Sequence, residues 1–175
     1  MFKKAFRRRM EEKTNYGLRL ALLKSGLVRA VIRKSNKHIS VQFVNVGDKG
    51  DRILASAKTS ELKELGWDAP MGNLPAAYLT GYLAGSRAMK AGVKKATADL
   101  GLQTSTKGSR LYSALMGAVN AGIEISHSKE ILPSEERIRG EHIAAYSSWK
   151  DYKTKPSEVP KLFETVKQKI AGNSK

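Results

Sequence analysis

The strongest constraint on the fold is a period of two in the apolar residues between positions 28 and 59. Alternation of this kind places every second side chain on one face, as in a half-buried β-strand. Turn-forming residues at 36–37 and 47–51 divide the region into three segments. The predicted strands are residues 28–35, 38–46 and 52–59. Because short turns join them, they should form an antiparallel meander to which the rest of the chain must adapt.

Two helices and two further strands are predicted to follow the meander. Asn73 can cap the first helix, with Pro75 in its first turn and Gly92 just past its end. Ser109 can cap the second, whose apolar residues keep a helical period as far as Gly122. The predicted strands are residues 96–100 and 123–125. The pattern indicates an α/β fold, a mixed sheet of antiparallel meander plus parallel strand with packed helices, and a three-layer sandwich is expected.

The end of the chain is predicted to be helical. Ser134 opens a helix that Gly140 interrupts, and the helical pattern continues over residues 141–152. Pro156 breaks the chain before a last amphipathic helix. The apolar face of that helix comprises Val159, Leu162, Phe163, Val166 and Ile170. The predicted organisation is a basic N-terminal extension (1–26), an α/β core (27–132) and a helical C-terminal region (133–175).

Basic residues are concentrated near the N-terminus. The chain of 175 residues carries a net charge of +16, and residues 1–38 hold twelve of its 32 lysines and arginines but only two acids. A focused cluster of cations neutralises phosphates and releases their counterions, which makes nucleic acid the leading partner. The extension has too few apolar residues to offset the entropy of ordering, so we expect it to be disordered until it binds RNA.

Composition also excludes several classes of protein. The absence of cysteine rules out disulfides, thiolate nucleophiles and sulfur-ligated zinc, and it favours a reducing, intracellular setting. No apolar run reaches the roughly 18 residues that a membrane-spanning helix requires. We therefore expect a protein without a membrane partner.

Patterns that would indicate catalysis are weak. A two-metal nuclease needs several converging carboxylates, whereas Asp99 is the sole acid that we assign to a strand interior, and we expect arginine or backbone groups to satisfy it. The three histidines lie far apart, and neither a nucleophile elbow nor a phosphate-binding loop is present. We predict no enzymatic activity, no metal and no cofactor. A nuclease-like RNA enzyme and a non-specific binder of nucleic acid or anionic membranes remain alternatives.

The first hairpin carries the clearest candidates for RNA contacts. Arg29 and Arg33 share one sheet face, and residues 34–38 place cations and an amide at the hairpin tip. Aromatic residues are sparse, which favours the outside of a folded RNA over stacking on a single strand. The polar loop 104–110 could equally be an ordinary solvated loop. The candidates chosen on charge and polarity are Lys3, Lys4, Lys24, Arg29, Lys34, Gln42, Thr104, Lys107, Ser109 and Arg110.

Several short strings share the order and spacing of one protein family. They are residues 13–16 (Lys-Thr-Asn-Tyr), 20–26 (Leu-Ala-Leu-Leu-Lys-Ser-Gly), 33–39 (Arg-Lys-Ser-Asn-Lys-His-Ile), 66–67 (Gly-Trp), 72–81 (Gly-Asn-Leu-Pro-Ala-Ala-Tyr-Leu-Thr-Gly), 99–102 (Asp-Leu-Gly-Leu) and 139–144 (Arg-Gly-Glu-His-Ile-Ala). Each string alone is weakly specific. Together, over about residues 5–150, they resemble large-subunit ribosomal protein eighteen of the archaeal and eukaryotic type.

The resemblance implies a structural component of the cytoplasmic ribosome. It implies binding to 5S rRNA, attachment of that RNA to the large-subunit rRNA in the central protuberance, neighbouring ribosomal proteins as partners, and no catalysis. By match to the family's motifs, the implied 5S rRNA contacts are Arg7, Arg8, Arg9, Lys13, Tyr16, Arg19, Arg33, Ser35, Asn36, Lys37 and His38. The string at 139–144 adds Arg139 and His142.

Overall fold

The computed structural model describes residues 5–48, 50–145 and 154–172. Within these ranges, the strands are β1 (Val28–Lys34), β2 (Ile39–Gly47), β3 (Gly50–Lys58), β4 (Lys95–Asp99) and β5 (Glu124–Ile125). The α-helices are α1 (Arg7–Met10), α2 (Tyr16–Lys24), α3 (Leu74–Lys90), α4 (Arg110–Asn120), α5 (Glu135–Arg139), α6 (Glu141–Ala144) and α7 (Val159–Gly172). The predicted contacts Lys3 and Lys4, and residues 146–152 of the predicted C-terminal helix, lie outside the described residues.

The strands form one mixed sheet with the order β3-β2-β1-β4-β5. β2 pairs antiparallel with β1 and β3, which confirms the predicted meander, and β4 pairs parallel with both β1 and β5. β3 begins two residues earlier than predicted, because Gly47 and Gly50 pair across a tighter turn. Asp51 therefore lies in β3. Glu124 lies in β5, so the prediction that Asp99 is the sole strand carboxylate is wrong.

The core lies between one face of this sheet and the helices α3 and α4. Ile32, Val41 and Phe43 point into it and are fully buried, as the period of two requires. The two helices pack closely because glycines stand at their crossing. A Cβ atom on Gly81 would lie 1.9 Å from the Ala114 carbonyl oxygen. A Cβ atom on Gly117 would lie 2.2 Å from a carbonyl oxygen of α3.

The arrangement of layers differs from the expected sandwich. Helices α3 and α4 cover one sheet face, and α7 packs on α3 behind them, so the described layers are sheet, helix pair and outer helix. The opposite sheet face carries polar groups such as Arg33 and Gln42, and strands that bury only one face leave the other open in this way. Within the described residues, no helix is both long and apolar enough to cross a membrane.

The predicted helix starts are only partly confirmed. Asn73 caps α3, because its Oδ1 accepts a hydrogen bond from the Ala76 N–H at 2.9 Å. Ser109 precedes α4 as predicted, but its side chain makes no capping bond and its Oγ is buried without a partner among the described residues. Ser134 also precedes its helix without a side-chain cap.

The C-terminal region packs on the outer side of α3. Gly140 separates α5 from α6 with a left-handed backbone (φ 86°) that favours glycine. Phe163, Val166 and Ile170 of α7 are buried, which confirms the predicted apolar face. Lys169 Nζ ties this helix to the body by donating to the carbonyl oxygen of Leu65 at 3.0 Å.

The extension contains two helices, contrary to the expectation that it lacks ordered structure on its own. Asn15 Oδ1 accepts from the N–H of Leu18 and so starts α2. Arg19 of α2 then pairs with Asp51 of β3 at 2.8 Å. These polar contacts, and not the burial of apolar residues, hold the extension in place, because no residue of α1 or α2 is buried.

Gly81→Ala and Gly117→Ala should each lower the free energy of unfolding by about 1–3 kcal/mol, because the added methyl group would push α3 and α4 apart. Urea denaturation measures the change. Gly172→Ala at the end of α7 is the control, since a Cβ atom there would meet nothing within 4 Å. Equal midpoints for all three variants and the parent protein would contradict this account of the helix crossing.

Asp51→Asn should release α2 from the sheet. Because exposed ion pairs contribute about 0.2–1 kcal/mol, trypsin should cut within residues 7–24 about two- to fivefold faster. Asp48→Asn, at an exposed position of the adjacent turn, is the control. Identical cleavage rates for both variants would show that the Arg19–Asp51 pair does not hold the extension.

Candidate nucleic-acid interface

The hairpin tip, residues 35–38, is a compact turn closed by its own first residue. The Ser35 N–H donates to the His38 carbonyl oxygen at 2.8 Å, and the Ser35 hydroxyl exchanges hydrogen bonds of 3.0 Å with the backbone of His38. His38 itself is partly buried, with Nδ1 3.0 Å from Thr59 Oγ1. These bonds leave Asn36 and Lys37 exposed at the end of the hairpin, where they can meet an RNA backbone.

Two side chains brace this tip: Gln103, in the loop between β4 and α4, and Arg110, the first residue of α4. Gln103 accepts from the Lys34 N–H at 3.1 Å and donates to the Lys34 carbonyl oxygen at 2.9 Å. Arg110 Nη1 donates to the carbonyl oxygens of Asn36 at 3.2 Å and Gly72 at 2.9 Å. The predicted contact Arg110 is thus engaged by the protein, and it fixes the hairpin against the start of α3.

Beneath the hairpin, Asp99 holds the two arginines that the sequence places on one sheet face. Arg29 Nη1 lies 3.2 Å from Asp99 Oδ2, and Arg33 Nη2 lies 2.9 Å from Asp99 Oδ1. Arg33 also donates to the Asp99 carbonyl oxygen at 2.6 Å. The expectation that arginine satisfies this acid is confirmed. Arg29 is only 4% exposed, so of the two predicted contacts only Arg33, whose side chain is 40% exposed, is accessible to solvent.

Asp51 extends this cluster to the extension. Its Oδ2 lies 2.8 Å from both Arg19 Nη2 and Arg29 Nη2. The chain of opposite charges therefore runs from α2 through β3 and β1 to Asp99 at the end of β4. We call these five residues the ion cluster: Arg19, Arg29, Arg33, Asp51 and Asp99.

Other residues of the extension make contacts with one another. Arg8 Nε donates to Thr14 Oγ1 at 2.9 Å, Lys13 Nζ pairs with Glu11 at 3.0 Å, and the ring of Tyr16 packs on Phe6. The predicted contacts that are exposed at the surface of the extension are Arg7, Arg8, Arg9, Lys13 and Lys24. The extension therefore adds unburied cations beside the open sheet face.

The other predicted contacts are distributed unevenly. Thr104 and Lys107 are exposed on the loop that braces the hairpin, whereas Ser109 Oγ is buried. Gln42 lies on the open sheet face, in register with Val31 and Ser56. The structure thus brings the hairpin and the loop to the same end of the sheet, and the extension lies against its open face.

Arg139 and His142 belong to a different surface. They lie in α5 and α6, in the layer that packs on the outer side of α3, and Arg139 contacts Glu135 and Glu164 at 3.9 Å each. Desolvation, and secondarily the charge of Arg137, lower the pKa of His142 below its ordinary value of 6.5. At neutral pH this imidazole is therefore uncharged and differs from the cations around the hairpin.

Two residues of the site were not selected from the sequence. Gln103 directly precedes the predicted polar loop 104–110, and Asp51 lies in the predicted turn 47–51. The register shifts between Phe43 and Val44 of β2, where Leu54 is the extra residue in β3, so that Val44 pairs with Ile53 and Asp51 falls opposite Val46. The string Gly-Asp-Lys-Gly-Asp, with glycines three residues apart, was the available signal for a tight turn that leaves Asp51 in the strand.

The described residues form an α/β protein with exposed cations on the extension beside the open sheet face and on the hairpin and loop at one end of the sheet, an arrangement typical of nucleic-acid-binding proteins. Within the same ranges, no group of three or more His, Asp or Glu residues could hold a metal ion. Residues 1–98 match the family described as ribosomal large subunit proteins 60S L5 and 50S L18, and the chain belongs to that family.

Close relatives support this membership over nearly the whole chain. The large ribosomal subunit protein uL18 of Korarchaeum cryptofilum is 48% identical over 187 residues, covering 99% of this chain and 96% of its own. The proteins of the same name from Halobacterium salinarum and Haloarcula marismortui are both 52% identical, over 83% of this chain and 80% and 78% of their own.

Family membership confirms several predictions made from the sequence. The chain is a structural protein of the large ribosomal subunit, not an enzyme, and its site of action is the cytoplasmic ribosome. Its partners are therefore ribosomal RNA and ribosomal proteins.

Asp99→Ala should lower the free energy of unfolding by about 3 kcal/mol, because it leaves the buried Arg29 with one carboxylate and removes the carboxylate acceptor of Arg33. Urea denaturation provides the measurement. Glu124→Ala is the control, since its pair with Lys95 is exposed and should change stability by about 0.5 kcal/mol or less. If the two variants lose equal stability, the ion cluster is not a buried structural element.

Proposed function

We propose that the chain binds 5S rRNA and helps to attach it to the large-subunit rRNA in the central protuberance. The observation that carries this proposal is the exposed, braced hairpin tip, with the loop 104–110 at the same end of the sheet and the extension against its open face. A brace of this kind holds Asn36 and Lys37 in one geometry, which favours a folded RNA of fixed shape over any polyanion. The resemblance in the hairpin string at 33–39 supports 5S rRNA as that RNA.

The three regions of the chain would have different tasks. The extension (1–26) supplies unburied cations that track a phosphate backbone, and the core (27–132) presents the rigid hairpin against the duplex. The described part of the helical region (133–145 and 154–172) packs behind α3, away from the hairpin, so Arg139 and His142 would meet large-subunit rRNA or a neighbouring ribosomal protein instead.

Among the predicted contacts, the exposed cations should contribute most to affinity. Lys37 is exposed at the hairpin tip, whereas Arg29 is buried, and Arg33 and Arg110 are bonded to the protein. We assign phosphate contact to Lys37 and the cations of the extension. Arg33 offers its exposed edge to the RNA while Asp99 holds the guanidinium in place.

Competition between 5S rRNA and an unrelated RNA duplex, measured across a range of salt concentrations, tests the proposal. At physiological salt the protein should prefer 5S rRNA by roughly 10³-fold, the ratio typical of specific nucleic-acid binding. Equal affinity for both RNAs would favour a non-specific binder. Magnesium-dependent cleavage of either RNA that Asp99→Ala abolishes would favour the nuclease alternative.

Lys37→Gln should reduce the slope of log K against log salt for 5S rRNA by about one, the loss of one phosphate contact. Lys94→Gln is the matched control. Lys94 is also an exposed lysine, and it directly precedes β4, at the end of that strand that is farther from the hairpin tip. Equal slopes for the two variants would show that the hairpin tip does not contact the RNA.

A further inference from the structure

A cleft separates the extension from the sheet. Arg8, Lys13, Leu18 and Leu22 line it from the extension, and Arg33 and Gly101 line it from the core. No residue of α1 or α2 is buried, so the extension is the wall that can adjust to a ligand, while the sheet is the fixed wall.

The charge inside the cleft is strongly positive. Its lining includes five cations and a single carboxylate, Asp99. Asp51 pairs with two of the cations from the side, and Glu11 pairs with one from the surface. A cleft with low-dielectric walls focuses such an excess and draws in an anion. The five cations are Arg8, Lys13, Arg19, Arg29 and Arg33.

Arg29 gives independent evidence that an acceptor belongs in the cleft. Its side chain is 4% exposed, and its Nε finds no hydrogen-bond acceptor among the described residues. Its Nη2 lies 2.8 Å from Asp51 Oδ2 but outside hydrogen-bond geometry. The Asp51 carboxylate therefore balances the charge of this group but does not accept a hydrogen bond from it. A buried donor without an acceptor is costly, and Arg29 has two.

We propose that the cleft is a binding site for one phosphate group, which bridges the extension and the sheet. A phosphate presents several oxygens in a tetrahedral array, so it can accept from Arg29 and from Arg8 or Lys13 on the opposite wall at once. The phosphate could come from an RNA backbone or from free inorganic phosphate. The first source rests on the proposed function, and the second does not.

Inorganic phosphate is the first probe. Added at millimolar concentration, it should raise the melting temperature of the full chain more than chloride does at matched ionic strength. Arg8→Gln should weaken phosphate binding about tenfold, since it removes one charge-assisted donor. Arg9→Gln is the matched control, because Arg9 neighbours Arg8 in α1 and carries the same charge but does not line the cleft. Arg8 is exposed, so its loss should not unfold the protein, whereas Arg29→Gln could.

The RNA source is tested by competition. If an RNA phosphate occupies the cleft, inorganic phosphate should displace 5S rRNA from the parent protein and from Arg9→Gln beyond the effect of matched chloride. Arg8→Gln should be insensitive. If phosphate stabilises the protein in the Arg8-dependent manner but does not compete with 5S rRNA, the cleft binds free phosphate.

Two results would overturn the proposal. Phosphate and chloride could have equal effects on the melting temperature of the parent protein, or Arg8→Gln and Arg9→Gln could respond identically to phosphate. In either case, water and not phosphate would be the hydrogen-bond partner of the buried Arg29 donors. Neither result would contradict the proposed function, because the preference of the parent protein for 5S rRNA over an unrelated duplex is measured without added phosphate.

Discussion

A buried carboxylate organises the basic side of this protein. Asp99 stands at the end of β4, where the parallel pairing with β1 brings it beside Arg29 and Arg33. Without it, two guanidinium groups on one strand would repel each other on a face that carries a large excess of cations. Asp51 makes the same kind of contact from β3 and adds Arg19 of the extension. The position of the extension therefore depends on the strand pairing of the core.

The hairpin tip is held by a second set of contacts, which are hydrogen bonds to uncharged acceptors. Gln103 and Arg110 bind backbone groups of the hairpin, and their own positions follow from the end of β4 and the start of α4. Parallel pairing of β4 with β1 is thus the condition for both sets. Bracing of this kind reduces the entropy lost when a loop binds a rigid partner.

Much of the fold could be predicted from the sequence, because hydrophobic periodicity is a local signal. The strands were placed within two residues, and the caps and glycines around α3 were sufficient to bound that helix. The layer order was not predictable in this way. Helix α3 buries nearly its whole circumference, so its periodicity does not tell which neighbour lies on which side.

The candidate site could be predicted by residue type but not by role. Charge and spacing selected Arg29, Arg33 and Arg110 along with Lys37, because a sequence does not reveal which cations find partners within the fold. Asp99 lies 66 residues from Arg33, and Gly72 lies 38 residues from Arg110. Such contacts depend on tertiary structure, as does the pairing of Asp51 with the extension.

The division between bonded and exposed cations bears on how a basic protein recognises one RNA. Exposed lysines such as Lys37 exchange counterions with any phosphate backbone, so they contribute affinity that salt weakens and that shape barely affects. Arginines anchored by Asp99 cannot follow an RNA whose phosphates lie elsewhere, because moving them would break buried ion pairs. On the proposed function, the fixed Arg33 would therefore discriminate between RNA shapes, while exposed lysines would set the overall strength of binding. Through the ion cluster, β1 contributes both to the stability of the core and to the fixed geometry of the surface.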